Sequence, residues 1–190
     1  MARKGDTIRN IRSGETITFV RTTEDSGGEA VEMLFTVTPG GAPAAVHVHP
    51  RQTERFDVHE GCCRVAVEGE ERFVEAGDSF MIPAGAAHVW SAVTDLRMTV
   101  TLEPALDGEA FFEDLFALCN AGPVNAKGLP GPLSMAVLAH DHRETCILAS
   151  PPPFVQRVVF SVLARIGRAL GHGAANLPAP VAELAAAEAA

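Results

Sequence analysis

Hydrophobic and polar positions alternate with a period of two through the first half of the chain. Between Glu15 and Glu103, short runs rich in β-branched residues are separated by glycine or proline, which is typical of antiparallel strands. In the last run every second residue from Leu96 to Leu102 is apolar, so one face is expected to be buried. The predicted strands span residues 16–20, 30–38, 46–49, 54–59, 63–67, 80–82, 88–92 and 96–102. Many short strands at this spacing predict a mainly β fold, either a sandwich or a barrel.

After Pro104 the period becomes helical. The pattern predicts helices over residues 109–120, 132–142 and 154–170, with Pro132 suited to the first turn of the second. The third helix carries a wide apolar stripe, made of Phe154, Val155, Val158, Val159, Val162, Leu163, Ile166 and Leu170. A stripe of this width should be covered. We therefore expect it to pack on the barrel or on a partner subunit, and an aspartate at Val159 or Leu163 to destabilise the fold.

Length and composition indicate a globular protein. The 190 residues are 47% apolar and 21% charged, enough for one core and an appendage. The expected division is a β-barrel over 1–106, a helical extension over 107–173 and an Ala- and Pro-rich tail over 174–190, frayed or marginally helical. The net charge of −9 argues against nucleic-acid or anionic-membrane partners. No apolar run suits a membrane helix or signal peptide, which favours the cytoplasm.

The cysteines and tyrosines limit the chemistry. Cys62 and Cys63 are adjacent, Cys119 and Cys146 stand apart, and no CxxC occurs, so four reduced thiols are expected rather than disulfides. Tyrosine is absent. The protein therefore cannot use a phenol as an acid, a base or a radical.

Three histidines and one glutamate are candidate metal ligands. His47 and His49 are two apart on a predicted strand and point to the same side, so both imidazoles can reach one ion. Pro50 ends this strand, and the next strand can return Glu54 beside the pair. His88, on a later strand, would add a third nitrogen.

Each of these residues has a simpler explanation when taken alone. A His pair at i and i+2 is more often a surface or core feature, Glu54 a solvated carboxylate and His88 a loop residue. The argument for a site rests on nine residue types at fixed intervals, namely Gly41, His47, His49, Glu54, Gly61, Gly77, Pro83, Gly85 and His88, because so specific a combination is improbable by chance. The glycines and Pro83 themselves suit tight turns.

These two segments resemble the paired motifs of the cupin superfamily, in its small single-domain form. The resemblance covers Thr36 to Leu102 and departs only at the last position of the second motif, where Ala92 replaces a variable asparagine. It implies a conical antiparallel β-barrel, of double-stranded β-helix or jelly-roll type, in which His47, His49, Glu54 and His88 hold one divalent transition metal. A weaker resemblance, over residues 125–130 and 151–154, is to an extension of some bacterial cupins.

Three imidazoles and a carboxylate suit Fe, Mn, Ni, Cu or Zn and leave coordination positions open. In cupins this set resembles that of quercetin-type and other dioxygenases, and it also occurs in isomerases and lyases. The alternation predicts an apolar cavity lined by Phe35, Phe56, Val58, Cys63, Val65, Phe80, Ile82 and Trp90. Such a lining favours planar or apolar substrates, leaves Glu54 as the only evident general base and argues against phosphosugar isomerisation.

Two classes of function remain open at this point. The first is a metal-dependent, dioxygenase-like oxidoreductase acting on a small, largely apolar or enolic substrate. The second is a non-catalytic cupin that binds or senses a small molecule. A regulatory cupin with a DNA-binding helix-turn-helix is disfavoured by the acidic charge. We expect a homodimer, because barrel edges and the third helix offer surfaces to cover.

Overall fold

The protein consists of two antiparallel sheets and a set of C-terminal helices. The computed structural model describes residues 2–40, 45–125 and 128–177; Gly41 of the first motif, residues 126–127 and the tail from 178 lie outside the described residues. The six-stranded sheet has the spatial order β1 (Thr7–Arg9), β2 (Thr16–Arg21), β3 (Val31–Val37), β10 (Leu96–Glu103), β5 (Thr53–Glu60), β8 (Ser79–Ile82). The five-stranded sheet has the order β11 (Ile147–Leu148), β4 (His47–Val48), β9 (His88–Ala92), β6 (Cys62–Val67), β7 (Glu70–Glu75).

All eight predicted strands are present, with ends that differ by at most one residue. The register of β5 is also as expected, since Glu54, Phe56 and Val58 are buried and the residues between them are more exposed. Strands β1, β7 and β11 were not predicted. In β7 only Val74 is buried and the other residues are exposed, so this edge strand carries no alternation of apolar and polar residues.

The helices lie close to their predicted positions. They are α1 (Thr23–Ser26), α2 (Gly108–Ala121), α3 (Pro132–Asp141), α4 (Pro153–Ala169) and a 3₁₀ turn at Ala174–Asn176. The short α1, which was not predicted, is closed by a capping box between Thr22 and Asp25. None of the helices in the described part of the chain is both long and apolar enough to cross a membrane.

Helix α2 joins the helical region to the barrel. Phe116 belongs to the hydrophobic core between the sheets, and Phe112 and Leu115 pack against it. The ring of Phe112 lies edge-on to Phe35 of β3, with centroids 5.5 Å apart. The buried carboxylate of Glu109 accepts hydrogen bonds from the backbone amide and hydroxyl of Thr23. These contacts fix α2 against the six-stranded sheet.

The apolar stripe of α4 is largely exposed in the single chain, so it does not pack on the barrel, and its packing on a partner subunit stays a prediction. Its most exposed members are Phe154 (72%), Val158 (67%), Val159 (42%), Val162 (52%), Ile166 (46%) and Leu170 (64%). The helix instead buries Gln156, Ala164 and Gly167. A Cβ at Gly167 would lie 2.8 Å from Cγ2 of Val137 on α3, so a narrow face of small residues lets the two helices approach closely. The broad stripe is left without a partner within the described chain.

Candidate metal centre

The two sheets bring His47, His49, Glu54 and His88 to one point. His47 and His88 are register partners on β4 and β9, and His49 follows β4 directly. Glu54 comes from β5 of the opposite sheet. One ligand atom from each of the four residues lies within 4.8 Å of all the others. His49, Glu54 and His88 are buried and His47 is partly exposed, so the cluster could hold a metal ion that is reached from the side of His47.

The histidine rings are oriented by backbone carbonyls. The Nδ1 atoms of His47, His49 and His88 donate hydrogen bonds to the carbonyl oxygens of Ala45 (3.0 Å), Thr145 (2.6 Å) and Ala86 (2.9 Å), respectively. A carbonyl can only accept, so each Nδ1 carries a proton. In the neutral ring Nε2 then presents a lone pair, which is the form that binds metal.

The surroundings of two polar atoms in the cluster indicate whether a cation fits there. Nε2 of His88 lies 2.8 Å from Oε2 of Glu54, yet neither buried atom has a hydrogen-bond partner among the described residues. Nε2 of His49 lies 3.6 Å from the same oxygen. Buried polar atoms without partners are rare and costly. Lone pairs converging around an unsatisfied carboxylate oxygen are the arrangement expected of ligands around a metal ion.

The pKa values agree with a site for a cation. Burial lowers the pKa of His47 to about 4, even though Glu54 acts in the opposite direction, so this ring is neutral at physiological pH. Burial alone would raise the pKa of Glu54, but the surrounding histidines outweigh it and hold the pKa below its usual range. Glu54 in turn raises the pKa of His88 against the lowering effect of burial. The centre therefore combines an ionised carboxylate with a preference for positive charge beside it.

The side chains expected to line a cavity pack against one another. Phe35, Phe56, Val58, Cys63, Val65, Phe80 and Ile82 are buried in the core, and Trp90 is partly buried against it. The rings of Phe56 and Phe80 stack with centroids 4.4 Å apart. Burial raises the pKa of the Cys63 thiol to about 11, so this cysteine is a neutral packing residue. The surroundings of the cluster are accordingly apolar.

Sequence reasoning did not anticipate that the helical region reaches the cluster. Thr145, between α3 and β11, accepts the hydrogen bond of His49, and β11 pairs with β4. The thiol of Cys146 is neutral, because burial and the charge of Glu54 raise its pKa to about 12. No motif spacing connects these residues to the histidines, since Thr145 follows His49 by 96 positions.

Comparison with known proteins agrees with this geometry. Residues 33–102 match the family model described as Cupin domain. This segment of the chain therefore carries a cupin domain. The paired sheets and the resemblance in the two motifs are thus those of a cupin jelly roll with C-terminal helices added. The four cysteines are free, as expected.

Several solved structures resemble part of the chain. A structure of KdgF from Halomonas sp. is 23% identical, with a TM-score of 0.47, and the match covers 54% of this chain and 91% of that one. An RmlC-like cupin from Shewanella frigidimarina is 25% identical, with a TM-score of 0.48 and coverage of 57% and 93%. Ectoine synthase from P. lautus is 18% identical, with a TM-score of 0.48 and coverage of 59% and 78%. No curated protein matches the chain significantly.

Proposed function

We propose that this cupin binds one divalent transition metal per chain and acts as a dioxygenase-like oxidoreductase on a small, largely apolar or enolic substrate. The observation that carries the metal site is the convergence of His88 Nε2 and His49 Nε2 on Oε2 of Glu54, where neither His88 Nε2 nor the carboxylate oxygen has a hydrogen-bond partner in the described chain. Nitrogen and oxygen ligands in this ratio suit Fe, Mn, Ni, Cu or Zn.

The chain's own residues would have distinct roles. His47, His49 and His88 would hold the ion through Nε2, and Glu54 would neutralise part of its charge. A bound metal would supply a Lewis-acidic or redox-active centre with positions open to substrate oxygens. Glu54 is ionised and is the general base that we propose for removing a proton from an enolic substrate. The apolar side chains of Phe35, Phe56 and Trp90 would exclude water and favour an apolar body.

Metal content is the first test. Protein purified without chelators or an affinity-tag metal should contain one transition metal per chain by elemental analysis. His47→Ala combined with His49→Ala should abolish binding, because two of four ligands are removed. His59→Ala is the matched control, since His59 is an exposed histidine bonded to Thr99 outside the cluster. Retention of one metal per chain by the double variant would refute the ligand assignment.

Catalysis is tested separately from binding. Protein loaded with Fe, Mn or Ni should consume oxygen when supplied with small enolic substrates, and Glu54→Gln should lose this activity. The main alternative is a non-catalytic cupin that binds or senses a small molecule. It needs no acid or base beyond the ligands, and it therefore agrees with the apolar side chains that surround the cluster. A ligand that binds to the metal-loaded protein without oxygen uptake or conversion would support this alternative, while conversion without oxygen uptake would indicate an isomerase or lyase.

We further propose that the protein works as a homodimer in the cytoplasm, with a small molecule as its other partner. A two-fold axis would set the exposed apolar stripe of α4 against its own copy, so that both stripes become buried. The net charge of −9 opposes an anionic lipid surface as the occupant. Four free thiols suit a reducing compartment.

A further inference from the structure

The three histidines of the cluster differ in what orients them. The rings of His47 and His88 are held by Ala45 and Ala86, which lie two residues before them on the same segment. The ring of His49 is held by Thr145 at 2.6 Å, and Thr145 belongs to the helical region. His49 is therefore the one histidine of the cluster whose orientation depends on a part of the chain outside the barrel.

Burial, two hydrogen bonds and a neighbouring strand hold Thr145 in place. It is fully buried, and its amide donates to the carbonyl of His142 at 2.9 Å. Its hydroxyl donates to Oδ1 of Asp107, the residue that precedes α2. Two residues later β11 begins, and its pairing with β4 sets Leu148 opposite His47. The Thr145 carbonyl is thus fixed relative to the strand that carries the histidine pair.

An ion triad centred on the buried ring of His142 supports the same loop. His142 donates from Nδ1 to Asp107 at 2.7 Å and from Nε2 to Asp114 at 3.0 Å, and its side chain is 6% exposed. Both nitrogens act as donors, so the ring is a cation between two carboxylates. Asp107 consequently bonds His142 and Thr145 at once. The triad ties α2, the end of α3 and the loop that contacts His49 into one unit.

We propose that Asp107, His142 and Thr145 are positioning residues of the metal centre, which hold the Thr145 carbonyl so that it orients His49 for metal binding. This inference rests on the proposed metal site. The bond to the carbonyl fixes the tautomer and the ring orientation of His49, and outer partners of this kind typically change metal affinity by about 10- to 100-fold. The helical region would then be part of the site rather than an appendage to it.

Substitutions at Thr145 provide the test. Thr145→Val keeps the shape but removes the hydroxyl bonded to Asp107, so Zn²⁺ affinity measured by chelator competition should fall about 10-fold or more. Thr145→Ser keeps the hydroxyl and should restore the affinity. Asp141→Asn is the control, because it breaks the ion pair with Arg168 between α3 and α4 without touching this network. Asp107→Asn should act like Thr145→Val.

A spectroscopic readout separates positioning from stability. In the metal-free protein, ¹⁵N NMR of the histidine rings should show a change in the Nδ1–H signal of His49 in Thr145→Val, with those of His47 and His88 unchanged. If Thr145→Val lowers only the melting temperature and leaves Zn²⁺ affinity and the His49 signal as in the wild type, the inference is overturned. If the wild type itself binds no metal, the proposed function fails, whereas the His49 signal still reports whether Thr145 orients the ring.

Discussion

The backbone of Gly61 lies so close to the carbonyl of Asp95 that a Cβ at position 61 would be 1.9 Å from that oxygen. The residue also has a φ of +83°, a backbone conformation that residues other than glycine rarely adopt. It joins β5 to β6, and the amide of Ala76 donates to its carbonyl at 3.0 Å. The close approach of two backbones, in addition to the turn, explains why glycine is needed here.

Gly61→Ala should therefore destabilise the protein much more than a Gly→Ala substitution that causes only backbone strain. Gly77→Ala is the matched control, since Gly77 has a φ of +94° and no atom of the described residues would lie within 4 Å of a Cβ at this position. We expect Gly77→Ala to lower the free energy of unfolding by about 1–2 kcal/mol through backbone strain. Gly61→Ala should lower it by at least about 2 kcal/mol more, because of the clash. Urea unfolding monitored by circular dichroism measures both. Equal losses would show that the loop at Asp95 moves away freely.

Metal binding should stabilise the fold through the four-residue cluster. Zn²⁺ at about 100 times its Kd would add about 2.7 kcal/mol, which corresponds to a rise of roughly 5–10 °C in Tm for a chain of this size. Glu54→Gln removes the ionised oxygen on which His88 and His49 converge, so its Tm should respond to Zn²⁺ far less. Thermal melts with and without a chelator provide the comparison. An equal shift in both proteins would place the stabilising ion elsewhere.

The barrel strands were predictable because their signal is local. In β5 the alternation of Glu54, Phe56 and Val58 with more polar neighbours fixes which residues face inward, since a one-residue slip would reverse every side chain. The gathering of the four candidate ligands followed from spacing on such strands. By contrast, the charged edge strand β7 lacks an apolar face, and nothing in its sequence distinguishes it from a loop.

The contacts between helices and barrel were not predictable, because they join residues far apart in sequence. Thr145 and His49 meet where β11 pairs with β4, 96 positions apart along the chain. The width of the α4 stripe suggested burial, but the helix packs through Ala164 and Gly167, whose small size permits the closest approach to α3. Hydrophobic periodicity identifies an apolar face but does not specify whether the same chain covers it.

Because of the His142 triad, the free energy of unfolding should change with pH in the alkaline range. Burial alone would lower the pKa of His142, but the hydrogen bonds to Asp107 and Asp114 outweigh it and raise the pKa to about 9. A pKa raised above the unfolded value of about 6.5 means that the stabilisation is fully present below pH 6.5 and is lost as pH rises through about 9, to a total of about 3 kcal/mol. The charged groups that face the ring in the described residues are these two aspartates.

The measurement compares the wild type with His142→Gln. Free energies of unfolding in urea should differ most near pH 6 and converge towards about pH 10, because the wild type loses its charged ring over this interval. His140→Gln serves as the control, since the ring of His140 contacts Ser161 rather than a carboxylate. A difference between wild type and His142→Gln that stays constant with pH would show that the ring contributes by packing alone.

The exposed stripe of α4 changes what a substitution there should do. Because Val159 is 42% exposed in the single chain, Val159→Asp should alter the free energy of unfolding of the monomer by less than about 1 kcal/mol. It should instead abolish the proposed dimer, since a carboxylate would be buried in an apolar contact between two α4 helices. Light scattering should give twice the chain mass of 20.0 kDa for the wild type and the single mass for the variant.

Arg157→Asp places the same side chain on α4 outside the stripe and should leave the dimer intact. A wild type that has the single mass over a wide concentration range would refute the homodimer, and the stripe would then require a different partner.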